Sequence, residues 1–258
     1  MVNVRSADGV SITYQVQGQG QPALVFVHGW SCDHSYWDTQ VRHFAPHYTV
    51  VTLDLAGHGT SGRKRRQWTM AAFGQDVVAV VEQLGLEQVV LIGHSMGGPV
   101  IFEAAQKLPQ PVIGLVVVDA YFLYAQPRTP QQIDAILTRF RADFVAATRD
   151  LVREMFLPAS DPNLVEQIVN AMSAAHPEVG IGSAEQSLSY QLKLGPRLQA
   201  VQRPIIAINA DYRPNLIEAA QRYGIELVSM SGVGHFVMLE DPNTFNRLLD
   251  EAVKTFVI

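Results

Sequence analysis

The residues best suited to chemistry in this chain are a serine and a histidine, each following an apolar run. Ser95 lies in the motif G-H-S-M-G at residues 93–97, and His235 lies in G-V-G-H-F at residues 232–236. A serine hydroxyl is a weak nucleophile near neutral pH unless a base such as imidazole is within hydrogen-bond reach. A third group must orient that imidazole and stabilise its cation. We therefore expect Ser95, His235 and an aspartate to form the reactive centre.

Two aspartates could supply the third group. Asp119 ends the apolar run of residues 112–118, and Asp211 follows the run that begins at Ile205. Residue type and position leave both open. Asp54 also follows an apolar run, but it opens a glycine-rich turn, and we interpret it as structural.

Nucleophilic attack on a carbonyl also needs two backbone amides aimed at the developing negative charge. The amide of Met96, directly after the serine, is one candidate. The amide of Trp30 is the other, because Gly29 before it lets the backbone turn inward without a Cβ clash. We interpret His28 as an anchor for this loop rather than as a reacting group.

The surroundings of Ser95 predict a sharp turn between a strand and a helix. The apolar residues 89–92 stop at Gly93, and a helix-compatible run covers residues 99–108. A serine at such a turn is held in a strained backbone conformation, and its neighbours must lack side chains so that strand and helix can pass closely. Gly93 and Gly97 meet that requirement. The G-x-S-x-G pattern is weak by itself, so its context decides.

The rest of the chain predicts the elements that position these residues. Strand-length runs cover residues 2–4, 10–16, 23–27, 48–53, 89–92, 112–118, 205–208 and 226–230. Helical segments separate most of them, which indicates βαβ crossovers and a parallel sheet. Between the sixth and seventh strands there are only helical segments, near residues 130–140, 144–156, 163–174 and 184–194. Ligands bind beyond the carboxyl ends of such strands, where the polar residues discussed above fall.

Composition excludes several classes of protein. The net charge of -5 argues against nucleic-acid binding, and we interpret the basic run of residues 63–66 as a solvated loop. Cys32 is the only cysteine, so no internal disulfide is possible, and we expect no metal. Apolar runs are too short to span a bilayer. We expect a soluble cytoplasmic protein, a monomer or homodimer, that acts on a small molecule and not at a membrane.

With these residues in place, the sequence resembles the α/β-hydrolase superfamily over nearly its whole length. The motifs H-G-W at 28–30, D-x-x-G-H-G-x-S at 54–61, G-H-S-M-G-G at 93–98 and G-H-F at 234–236 match that superfamily in order. The resemblance implies an α/β fold with a mostly parallel eight-stranded sheet and helices on both faces. It also implies a core of residues 1–120 and 201–258 and a helical cap of residues 121–200.

The same resemblance assigns roles to residues. It implies Ser95 as nucleophile, His235 as general base, and the amides of Trp30 and Met96 as the oxyanion hole. Dehalogenases and epoxide hydrolases of this fold use an aspartate at the turn, so the serine excludes them. The usual acid after strand seven follows a glycine, which I-N-A-D-Y-R at residues 208–213 lacks. Asp119 is similar to the acid of a branch of bacterial and mitochondrial esterases, and we favour it over Asp211.

We therefore predict a cofactor-free serine hydrolase, a carboxylesterase that cleaves small to medium acyl esters through an acyl-enzyme. Tyr121, Phe122 and Tyr124 either line the substrate pocket below the cap or only pack the cap. Two other activities stay open on the same triad, namely C-C bond hydrolysis and perhydrolysis. A slow-turnover ligand sensor is the alternative outside the enzymes. A binding module with a decayed site is disfavoured, because all the chemical parts are present.

Overall fold

The computed structural model describes residues 1–108, 110–120, 128–190, 192, 194–211 and 216–257. These residues contain an eight-stranded sheet whose strands are β1 (Val2–Arg5), β2 (Ser11–Gln17), β3 (Ala23–Val27), β4 (Val50–Leu53), β5 (Val89–His94), β6 (Val112–Val118), β7 (Ile205–Ala210) and β8 (Glu226–Met230). The strand order is β1-β2-β4-β3-β5-β6-β7-β8. β2 is antiparallel to β1 and β4, and all other neighbours are parallel. This confirms the predicted mostly parallel sheet.

Helices surround the sheet on both faces. Every residue of β3, β4 and β5 is buried, which requires cover above and below, because successive side chains of a strand point to opposite faces. The α-helices of the described residues are α1 (Asp38–Phe44), α2 (Met70–Leu84), α3 (Gly97–Lys107), α4 (Pro130–Ala142), α5 (Phe144–Arg153), α6 (Pro162–Ser173), α7 (Pro177–Tyr190), α8 (Leu194–Ala200), α9 (Leu216–Gln221), α10 (Val237–Glu240) and α11 (Pro242–Thr255). None of them is long and apolar enough to cross a membrane.

Helices α4 to α8 lie between β6 and β7 in the chain, and local signals set where several of them begin. The side chains of Thr129, Asp143 and Asp161 each accept a backbone N–H in the first turn of α4, α5 and α6 respectively. Such caps satisfy donors that have no partner within the helix. These starts agree closely with the helical segments predicted from the sequence.

One helical prediction in this region was wrong, and one helix was missed. Helix α7 begins at Pro177, although the sequence indicated a start near Ala184, and α8 was not predicted. Gly180 and Gly182 have low helix propensity and hid the first half of α7. Both pack closely: a Cβ on Gly182 would lie 2.5 Å from the Trp68 ring, and one on Gly180 would overlap the Phe144 ring. Close packing therefore outweighs propensity here.

The interpretation of residues 63–66 as a solvated loop was wrong for one of them. The guanidinium of Arg65 is buried and pairs with Asp76 at 2.5 Å and with Asp8 at 2.7 Å. The Ser6 hydroxyl also donates to Asp76, at 2.6 Å. A buried carboxylate such as Asp76 needs a charged partner, which fixes this arginine inside while its neighbours are exposed.

Candidate active site

Ser95 occupies the sharp turn between β5 and α3. Its φ of 52° lies in the left-handed region that non-glycine residues rarely adopt. A Cβ on Gly97 would lie 2.6 Å from the carbonyl oxygen of Val27, and one on Gly93 would overlap the carbonyl oxygen of Gly97. Only glycines therefore let the helix begin so close to the sheet. The Ser95 N–H donates to the carbonyl of Val118 at 2.9 Å, which ties the turn to the neighbouring strand β6.

His235 and Asp119 meet beyond the carboxyl ends of the strands. His235 Nδ1 donates to Asp119 Oδ2 at 2.6 Å, and the amide of Ala210 donates to Asp119 Oδ1 at 2.9 Å. Asp119 is fully buried and has a φ of 42°. Because a carboxylate only accepts hydrogen bonds, Nδ1 carries the proton, and a neutral ring has Nε2 as its acceptor.

Asp211, the other candidate acid, lies at the surface. Its carboxylate accepts a hydrogen bond from the Ser231 hydroxyl, and its N–H donates to Met230 at the end of β8. The structure thus brings Asp119 and not Asp211 to the imidazole of His235.

His94 connects the serine turn with the histidine. Its Nε2 donates to the carbonyl of His235 at 3.0 Å, and the two ring centroids are 4.7 Å apart. Burial, together with the nearby His235, holds the pKa of His94 well below its usual value, so the ring stays neutral and acts as a donor. The residue before Ser95 therefore lies directly against the proposed base.

The loop after β3 passes beside the serine. A Cβ on Gly29 would come within 3.3 Å of the Ser95 Cβ. His28 fixes the loop, since its Nδ1 donates to the Gly29 carbonyl at 2.8 Å and its Nε2 accepts from the Leu55 amide at 3.0 Å. The Trp30 indole donates to the carbonyl of Gly180 in α7 at 2.7 Å. The Trp30 amide therefore belongs to a loop that is held rigidly next to Ser95.

Residues 24–248 match the profile of the alpha/beta hydrolase family. The chain belongs to this family.

This α/β hydrolase is similar to proteins that are named for different enzyme activities. It is 27% identical to a dihydrolipoyllysine-residue acetyltransferase component of an acetoin cleaving system from Cupriavidus necator, over 94% of this chain but 66% of that protein. It is 24% identical to 3-oxoadipate enol-lactonase 2 of Acinetobacter baylyi, over 97% of this chain and 96% of the relative. A solved N-acyl homoserine lactone degrading enzyme, Est816, superposes with a TM-score of 0.84 at 25% identity, covering 97% of this chain and 99% of its own.

The carboxylate of Asp54 holds two loops of this α/β hydrolase together. It accepts hydrogen bonds from the amide and ring of His34 and from the amide and hydroxyl of Thr60. Burial would raise the pKa of Asp54, but these hydrogen bonds hold it well below its usual value. Among the described residues, Asp33, His34 and Asp54 form a group of three possible metal ligands, whose ligand atoms lie within 4.8 Å of one another. In this group the Asp33 carboxylate accepts the amide of Ser35, and the Asp54 carboxylate accepts the ring N–H of His34.

Two further groups of residues bear on the site. Tyr121, Phe122 and Tyr124, predicted to line the pocket or pack the cap, lie outside the described residues.

Sequence reasoning missed the contacts between the histidine loop, residues 232–236, and the inserted helices, which are α4 to α8 with their connections. The His235 amide donates to the carbonyl of Met155, just after α5, at 2.8 Å. No motif signals that contact, because it joins residues that are distant in sequence.

Proposed function

We propose that this α/β hydrolase is a serine carboxylesterase that cleaves small to medium acyl esters through an acyl-enzyme. The observation that carries the proposal is the 2.6 Å hydrogen bond between His235 and Asp119. It lies at the end of β6, beside the strand that delivers Ser95 at a strained turn. A buried aspartate that fixes the imidazole tautomer, next to a serine at a sharp turn, is the arrangement that activates a hydroxyl.

The proposed reaction assigns a role to each of these residues. The Oγ of Ser95 attacks the ester carbonyl, and His235 Nε2 takes its proton. Asp119 keeps the proton on Nδ1 and stabilises the imidazolium. The amides of Trp30 and Met96 donate to the oxyanion, and His235 then returns the proton to the leaving alcohol. Water repeats the sequence on the acyl-enzyme, and all groups come from the chain itself.

Residues 121–200 are proposed as a cap over this centre, with residues 1–120 and 201–258 as the core. Two contacts support the assignment. The Trp30 indole reaches Gly180 in α7, and the His235 amide reaches Met155 after α5. The inserted helices thus touch the chain at both the proposed oxyanion loop and the proposed base.

A lactonase is the second candidate. A lactone is an internal ester, so the same triad would open it by the same steps. The full-length similarity to an enol-lactonase at 24% identity and to a lactone-degrading structure at 25% identity favours this substrate class specifically.

The deciding experiment is hydrolysis of p-nitrophenyl esters from acetate to decanoate by the wild type and by Ser95→Ala. We expect turnover with an optimum at one chain length, and a loss of roughly 10⁶-fold in kcat in the variant, as for removal of a triad serine. A variant within about tenfold of the wild type would contradict the serine mechanism. Acyl homoserine lactones with matched acyl chains belong in the same assay. A higher kcat/KM for the lactones, again lost in Ser95→Ala, would assign the second candidate.

A further inference from the structure

We propose that Glu240 and Ser160 are positioning residues that fasten the histidine loop, residues 232–236, to the inserted helices. Through this clamp the inserted segment holds the imidazole of His235 in line with Ser95. The inference rests on the proposed role of His235 as general base, and it adds residues to which no role has been assigned.

The first part of the clamp is a close backbone contact. The carbonyl of Met155 accepts the His235 N–H at 2.8 Å. A Cβ on Gly234 would lie 2.5 Å from the same oxygen and 3.0 Å from the Cα of Phe156. The histidine loop and the segment after α5 can therefore approach this closely only because residue 234 is glycine.

The second part is the carboxylate of Glu240, at the end of α10. Its Oε1 accepts the N–H of Gly234 at 3.0 Å, and its Oε2 accepts the hydroxyl proton of Ser160 at 2.6 Å. The Ser160 hydroxyl in turn accepts the N–H of Leu157 at 3.1 Å. One carboxylate thus bonds the loop with one oxygen and the inserted segment with the other. Hydrogen bonds to a charged acceptor are stronger than neutral ones.

An aromatic pair closes the contact. Phe156 stacks on Phe236 with ring centroids 5.1 Å apart and an interplanar angle of 22°. Phe236 is fully buried and follows His235 directly. The residues on both sides of His235 are therefore fixed by the segment of residues 155–160.

The clamp matters for catalysis because His235 is held both from the core and from the inserted segment. In the core, Asp119 holds the ring at Nδ1 and His94 donates to the His235 carbonyl, whereas the inserted segment accepts the His235 N–H. The distance from Nε2 to the serine hydroxyl depends on both. A misplacement of about 1 Å can cost about 10²-fold in rate. Loosening the clamp should therefore slow the chemical step without weakening substrate binding.

The kinetic test uses Glu240→Ala, Ser160→Ala and Glu240→Gln. We expect kcat on the best nitrophenyl ester to fall about 10²-fold in Glu240→Ala and about tenfold in Ser160→Ala, each with KM unchanged within about twofold. Glu240→Gln should recover most of kcat, because its amide oxygen can still accept from Gly234 and its NH₂ can donate to Ser160. Losses in the double alanine variant should be less than multiplicative, as expected for residues that share one network.

Glu166→Ala is the matched control. Glu166 lies in α6 and pairs with Arg153 of α5 at 2.9 Å, within the inserted helices and away from the described contacts of the histidine loop. We expect its kcat to equal that of the wild type. An equal fall of kcat in Glu166→Ala and Glu240→Ala would overturn the clamp in favour of general loosening of the inserted helices. A rise in KM at constant kcat in the Glu240 variants would also overturn it.

A spectroscopic readout separates this inference from the proposed function. The proton shared by His235 and Asp119 should give a downfield imidazole resonance, assigned by its absence in Asp119→Asn. We expect it to broaden in Glu240→Ala and Ser160→Ala and to stay sharp in Glu166→Ala, whatever the substrate. A protein that hydrolyses no ester but shows this pattern would disprove the esterase and keep the clamp. An unchanged resonance in both folded clamp variants, with unchanged kcat, would disprove the clamp.

Discussion

Single residues at this centre are held in backbone conformations that their types do not favour. Ser95 and Asp119 both have positive φ, at 52° and 42°. Such conformations cost on the order of 1–3 kcal/mol each and persist only where the surrounding structure holds them. Here hydrogen bonds from Ser95 to Val118 and from Asp119 to Ile208 provide that constraint. Ser31, in the loop after β3, is the third non-glycine residue with a positive φ among the described residues, at 54°.

The competing aspartates give a test at the residue scale. Asp119→Asn should lower kcat by about 10⁴-fold, because an amide no longer holds the imidazole in the required tautomer and charge state. Asparagine tolerates positive φ, so the fold should survive. Asp211→Asn should stay within about threefold of the wild type, since Asp211 bonds Ser231 at the surface. Comparison of kcat on one nitrophenyl ester decides between them, and equal small losses would remove both from the mechanism.

Helix α7 shows how an element is determined by its packing. Gly180 faces Phe144, whose ring is buried and packs against Phe140 and Trp30 with centroids 5.9 and 6.0 Å apart. The carbonyl of Gly180 also accepts the Trp30 indole N–H. A helix that contains two glycines is thus used where other helices must approach closely, next to the proposed oxyanion loop.

Two glycine variants test this at the element scale. Gly180→Ala should lower the free energy of unfolding by about 1–3 kcal/mol, because the new methyl overlaps a ring that cannot move freely. Gly195→Ala in α8 is the matched control, since its Cβ would meet only Tyr223 at 4.0 Å. We expect that change to be neutral or to stabilise by up to about 1 kcal/mol, from helix propensity. Urea unfolding of both variants measures the difference, and similar losses would refute the packing argument.

At the scale of the whole molecule, buried histidines determine how stability responds to acid. Burial lowers the pKa of His28 and, more strongly, of His94. Burial and the nearby His28 lower the pKa of His58 from 6.5 to about 3. The pKa of His34 shifts in the opposite direction, because its hydrogen bond to Asp54 raises it despite partial burial. Three histidines are therefore held neutral inside the fold.

The sign of the effect follows from proton binding. Above pH 6.5 the three buried rings are neutral in both the folded and unfolded states. Below it, the unfolded chain binds protons that the folded chain refuses, so the free energy of unfolding falls by up to about 1.4 kcal/mol per pH unit for each ring. For His58 this window extends down to about pH 3. The contribution of His34 is present below pH 6.5 and is lost as pH rises through its raised pKa.

Urea unfolding from about pH 7.5 to about pH 4.5 measures this dependence. We expect the midpoint to fall steadily below pH 6.5. His58→Asn should show a shallower decline, although it starts from a lower stability because the imidazole packing is lost. Parallel curves for the variant and the wild type would contradict the contribution of His58.

Patterns that act over a few residues determined much of this protein from sequence alone. Hydrophobic runs and turn residues predicted the eight strands and the serine turn, because they report local backbone preferences and burial. Arg65 contradicted such a pattern, since its partners Asp8 and Asp76 are not signalled by any run of basic residues. Gly180 and Gly182 also misled the prediction. Their low helix propensity hid the start of α7, where close packing outweighs propensity.

Tertiary structure decided which distant residues meet. The carboxylate of Asp119 and the ring of His235 are 116 positions apart in sequence, and the choice over Asp211 depends on where β6 and β7 end in the sheet. The contact of His235 with Met155 and the bridge from Glu240 to Ser160 likewise join the core to the inserted helices. Sequence periodicity carries no record of such pairings, because they follow from strand order and from how separate segments pack.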